Sequence, residues 1–199
     1  MPSDRITHEE SLAIIERMIN KAKNQFSDNG FMYLLWGWVI LFCSIAHFIL
    51  KTLLHVPWFE AVWMLTWLAF LVQMIYLYKT RKQLRVKTYA DELVGHVWLV
   101  FVIMLVLGGT IISRKLAPGQ YYIANILILV LYGMPTFLSG VILKFKPLVW
   151  GGMVCWVLSL LACFVPADYI VLLIAIAVIS AWIVPGYVLQ NKYKRENLR

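Results

Sequence analysis

Residues 93 to 113 read LVGHVWLVFVIMLVLGGTIIS, and from Val97 to Ile112 no side chain carries a charge. About 20 apolar residues are what a helix needs to cross a hydrocarbon layer roughly 30 Å thick. Inside lipid every backbone N–H and C=O must be paired, and a helix does this within one segment. The stretch therefore reads as a membrane-spanning helix.

Five more runs of the same kind surround it: Phe31 to Leu50, Pro57 to Tyr78, Tyr121 to Leu143, Leu148 to Val165 and Asp168 to Gln190. The sequence predicts an all-α, polytopic membrane protein with six transmembrane helices over residues 31–190. Composition agrees. Of 199 residues, 62% are hydrophobic and only 14% are charged, against roughly a quarter charged in a soluble domain. Such a chain has too few polar side chains to clothe a water-facing surface. Pro57 and Pro147 fit the first turn of their helices, where the missing N–H costs nothing.

The net charge is +8, with 18 Lys and Arg against 10 Asp and Glu. Nucleic acid is one partner such an excess can signal, but its distribution points to topology. Alternate connections, counted with the two ends, hold four, five, two and four basic residues, while those between hold one, two and none. Fifteen against three places both termini on the cytosolic side, where basic loops are retained and meet anionic headgroups. The expectation is a multi-pass protein of a cell inner membrane with lipid as a partner and no nucleic acid. Cys43, Cys155 and Cys163 all lie in apolar runs, with no CxxC spacing, so they read as small packing residues.

Residues 1–30 are polar, without the apolar core of a secretory signal. Thr7 and Glu10 have capping-box spacing. Leu12, Ile15, Ile19, Ala22 and Phe26 then recur at steps of three and four, which lays them along one stripe of an amphipathic helix. Its polar face mixes Glu16 with Arg17 and Lys21, a pattern that favours protein contact over a purely anionic surface. Residues 191–199 form a basic tail.

Several positions are candidates for function. His47, His55 and Glu60 are metal-ligand types gathered near one end of the first two spans, and the sequence offers them as a metal site, zinc for example. Tyr132, Pro135 and Thr136 in the fourth span and Pro185 in the sixth mark irregular helices, as found where transporters bind substrate and at ordinary helix crossings. Gly108 and Gly109 should bend the third span in the same way. Leu12, Ile15 and Ile19, together with Arg81, Lys82 and Arg85 in the basic loop, form a candidate docking surface for lipid or a cytosolic partner. Gln73 and Asn125, the carboxamides within the spans, suit interhelical hydrogen bonds. No GxSxG, HExxH, P-loop or GxGxxG pattern is present. No catalytic residue and no cofactor are expected.

Thr7-His8-Glu9-Glu10-Ser11-Leu12 leading to Ile15 and Met18, Leu34-Leu35-Trp36-Gly37-Trp38, Leu131-Tyr132-Gly133, and Ser139-Gly140 followed by Lys144 resemble a family of small bacterial membrane proteins of unknown function. The resemblance implies a six-span inner-membrane architecture and no activity, substrate or cofactor. The leading expectation is an interaction or regulatory membrane protein that engages a cytosolic partner or another copy of itself. The alternatives are a small transporter or channel using the fourth and sixth spans, and an interfacial metalloenzyme.

Overall fold

A computed structural model describes residues 30–81, 89–117, 120 and 122–197. Helix follows helix throughout, and no strand occurs among the described residues. α1 (Phe31–Phe48) runs on into a π-helical turn, Ile49–Leu53. A 3₁₀ segment, Phe59–Met64, leads into α2 (Leu65–Arg81). Then come α3 (Tyr89–Lys115), α4 (Tyr122–Ile142) and α5 (Lys146–Ala162). The last pass is α6 (Ile170–Val178), a π turn at Ile179–Ile183, and α7 (Val184–Asn197).

Five of these passes are long and apolar enough to cross a bilayer. α5, at 17 residues, sits at the short end of the spanning range of roughly 17–25. The chain is thus an all-α polytopic membrane protein, and it differs from the sequence reading in local ways. α3 starts four residues before Leu93 and ends two past Ser113. Asp91 and Glu92 fall in its first turn and Arg114 and Lys115 in its last, each sign at the helix end whose dipole favours it. Helical structure begins at Phe59, so Pro57 stands in the preceding turn, which its fixed φ suits equally well. Pro147 does lie in the first turn of α5. Helix also continues to Asn197, through most of the polar tail.

Helical winding is continuous at two of the three places where the sequence suggests a bend. α3 passes Gly108 and Gly109, and α4 passes Pro135, as unbroken α-helix. The sixth pass does change its winding: the π turn ends where the Val184 N–H reaches back to the Ile179 carbonyl, one residue before Pro185. Proline has no N–H to offer the carbonyl four residues back, and its ring crowds that carbonyl. A wider turn just upstream accommodates both problems.

Packing is densest between α4 and α5, and glycines set the spacing there. A Cβ on Gly152 would stand 2.7 Å from Phe137 Cβ and 2.9 Å from the Gly133 carbonyl oxygen. One on Gly133 would enter the Trp156 indole, 2.6 Å from Cδ1. The sixth pass lies at the centre, packed on α1, α4 and α5, with half of its apolar window buried. α2 and α3 flank this core, and among the described residues of α3 Phe101 alone is buried. Their outward leucines, valines and methionines face where lipid would be, the arrangement expected when the bilayer is the solvent.

α4 closes in a Schellman motif. The Phe145 N–H bonds to the Gly140 carbonyl at 2.8 Å and the Lys144 N–H to that of Val141 at 3.1 Å. Phe145 is buried at the turn, and Lys144 takes the left-handed position, φ 51°. Glycine is the usual occupant there, because a Cβ is disfavoured at positive φ.

Candidate functional site

At the centre, the three α4 candidates are enclosed. Thr136 is fully buried, Tyr132 is 8% exposed, and Pro135 is among the largest fully buried side chains. The Thr136 hydroxyl donates to the Tyr132 carbonyl at 2.8 Å and accepts from the Trp182 indole N–H at 2.9 Å. Trp182 comes from the π turn of the sixth pass, so this one bond ties α4 to the sixth pass. Around it the rings of Tyr132 and Trp182 lie 4.7 Å apart between centroids, Phe101 and Tyr132 5.9 Å, and Trp98 and Trp182 6.0 Å. Tyr33 of α1 meets Trp98 edge-on at 5.9 Å. Four passes thus contribute to one aromatic cluster. Pro185, also buried, lies one helical turn along from Trp182.

The three metal-ligand candidates do not come together. Trp63 Nε1 donates to His47 Nδ1 at 3.0 Å, which leaves the hydrogen of the neutral ring on Nε2. Phe59 covers the same ring edge-on, 4.8 Å between centroids. His55 is exposed at a left-handed turn, φ 50°, and Glu60 is exposed in the 3₁₀ segment. No group of three or more His, Cys, Asp or Glu side chains forms a metal site among the described residues. The polar feature at this end is instead an ion pair, Lys51 Nζ to Asp168 Oδ1 at 2.8 Å. It joins the ends of the first and sixth passes, at exposures where such pairs contribute about 0–1 kcal/mol.

At the opposite end, Arg81 is the last residue of α2. Lys82 and Arg85, like Leu12, Ile15 and Ile19, lie outside the described residues. Gln73 takes part in the interhelical bond its residue type suggests, accepting from Trp36 Nε1 at 2.7 Å.

A feature with no sequence motif is a groove of about 300 Å³ between α3 and α4, running from Leu93 and His96 to Met104 on one wall and from Ile142 to Leu131 on the other. Its walls are almost wholly apolar, His96 being the exception. The groove and the aromatic cluster both depend on which faces of α3, α4 and the sixth pass meet. Trp98, Phe101 and Trp182 were visible as aromatic residues in apolar runs, but their convergence was not. In comparisons with known proteins, no family model, no curated protein and no solved structure matches the chain.

Proposed function

We propose that this is a non-enzymatic membrane protein that engages a cytosolic protein or a second copy of itself through its N-terminal amphipathic helix and its basic loop. In this reading Leu12, Ile15 and Ile19 supply the apolar stripe, and Arg81, Lys82 and Arg85 the charge beside it. The observation that carries it is the closed interior: Thr136 is fully buried and bonded to the Trp182 indole, and Tyr132 packs against the same ring, which favours the membrane surface as the place to act. Transport through α4 and the sixth pass would need a wet path beside Thr136. An interfacial metalloenzyme would need His47, His55 and Glu60 to converge.

Deleting residues 8–27 from the full chain tests the proposal. The expected result is loss of the chemically cross-linked partner or dimer from native membranes, with the spans still inserted. A full-length protein that is monomeric in membranes, with the same associated proteins after the deletion, would sink it.

The charge asymmetry supports a cell inner membrane with both termini in the cytosol, as does the resemblance to bacterial six-span proteins. With Cys43, Cys155 and Cys163 replaced by alanine, Lys194→Cys should be shielded from a membrane-impermeant thiol reagent in intact cells and Arg114→Cys labelled. The reverse pattern would invert the orientation.

A further inference from the structure

Cys43, His47 and Lys51 follow one another at steps of four in the first pass, which stacks them along one side of it, and the 3₁₀ segment Phe59–Met64 covers that side. Cys43 Sγ donates to the Val62 carbonyl at 3.4 Å. Trp63 Nε1 donates to His47 Nδ1 at 3.0 Å, Phe59 meets the imidazole edge-on, and Lys51 Nζ stands 5.5 Å from the centre of the Phe59 ring. The indole bond depends on protonation in a way the other contacts do not. An indole N–H can only donate, so Nδ1 has to accept, and it accepts only while the imidazole is neutral. A proton on Nδ1 sets N–H against N–H at the same distance, and attraction turns into repulsion.

Protons can reach the pair. His47 and Trp63 are half-buried, while His55, in the turn before the segment, and Glu60, within it, are exposed. The charged groups that face His47 are Lys51 on its own pass, Glu60 on the segment and Asp168 in the turn that opens the sixth pass. Lys51 and Asp168 already pair at 2.8 Å, and water and salt screen the exposed Glu60. These charges set the pH at which the ring takes its proton, but none of them gives Trp63 another acceptor. Farther along, α2 is tied to α1 by Gln73 accepting from Trp36 and by Tyr76 stacked on Phe31, and neither tie contains a histidine or a carboxylate. Breaking the indole bond therefore frees the segment and the first turns of α2 and leaves the rest of α2 docked.

We propose that His47 and Trp63 form a proton-operated latch: the neutral ring pins the Phe59–Met64 segment and the start of α2 to α1, and a proton on the ring releases them. The latch is closed above the pH at which the ring titrates and opens as the pH on the side this end faces falls through it. It goes beyond docking by the N-terminal helix and does not depend on it.

Cys43 is fully buried beneath the segment and reports its release. In the full chain carrying Cys155→Ala and Cys163→Ala, held in lipid nanodiscs with a metal chelator present, the rate of Cys43 modification by dithiodipyridine, a disulfide reagent that stays reactive in acid, is divided by the rate after unfolding in dodecyl sulfate at the same pH. That ratio should rise by about tenfold between about pH 8 and about pH 5, the window in which an imidazole changes charge. His47→Gln, whose amide oxygen accepts at every pH, should keep the low ratio throughout, and Trp63→Phe, which has no donor, should show the high ratio throughout. Should these variants fail to fold, hydrogen–deuterium exchange of the unaltered protein decides. Corrected for the intrinsic effect of pH, peptides covering Phe59 to Met64 should exchange about tenfold faster at about pH 5 than at about pH 8, and peptides of α5 should not change. A flat ratio with His47 in place, the same acid response in folded His47→Gln, or equal acceleration of α5 would each overturn it.

Discussion

Gly152→Leu is expected to prevent α4 and α5 from docking, with loss of monodisperse protein in mild detergent and destabilisation of about 3 kcal/mol or more in any fraction that folds. Overfilling a packed site usually costs about 1–3 kcal/mol because side chains can swing aside. Here the atoms met first include backbone: Phe137 N at 2.8 Å and the Gly133 carbonyl oxygen at 2.9 Å from the Cβ position. Backbone in a helix gives way only if the whole helix moves. Because α4 and α5 share the most extensive interface in the bundle, moving one helix sacrifices dispersion contacts along its length, and dispersion and close packing are what hold helices together in lipid. Gly95→Ala is the control. A Cβ on Gly95 meets nothing within 4 Å, so alanine should stabilise α3 by about 0.5–1 kcal/mol through helix propensity. Unfolding midpoints in a mixed-detergent titration measure both. A Gly152→Leu protein as stable as the unaltered chain would mean that this interface is not the one that holds the bundle.

The contrast between these two glycines shows what the sequence could and could not convey. Both sit in apolar runs and look alike in one dimension. The runs themselves were legible because lipid imposes a one-dimensional rule, about 20 apolar residues per pass, and every pass was located to within a few residues apart from the polar extension of α7. Which glycine lies at a contact depends on the rotation of each helix about its axis, and apolar residues all round a span leave that rotation unmarked. The candidate site suffered in the same way. His47, His55 and Glu60 are close in sequence, but the Trp63 indole holds His47 while the turn at His55 leaves that ring exposed. Thr136 was marked by its small size and its neighbour Pro135. Its partner Trp182, forty-six positions later, had no local feature to connect it. The winding at Pro185 was readable because proline's lost N–H acts within its own helix.

Trp182→Ala is expected to cost about 3–5 kcal/mol, the range for removing a large buried ring from a packed core. The ring is 3% exposed and touches aromatic side chains from α3 and α4, so its loss leaves a cavity between passes that cannot close without shifting several helices. Part of the effect belongs to the indole N–H, and a double-mutant cycle isolates it. Thr136→Val removes the acceptor and strands a buried donor, a change worth about 1–3 kcal/mol in general but typically below about 1.7 kcal/mol between membrane helices. Trp182→Phe keeps most of the ring and removes the donor. If the 2.9 Å bond couples α4 to the sixth pass, the double variant should lose less than the sum of the two single losses, by roughly the worth of that bond. Strict additivity would mean that the hydroxyl and the indole act independently, and that ring packing alone closes the centre. The distinction matters for function. A coupled pair adds to ring packing in resisting separation of α4 from the sixth pass, and a motion that parts these two passes would have to break it.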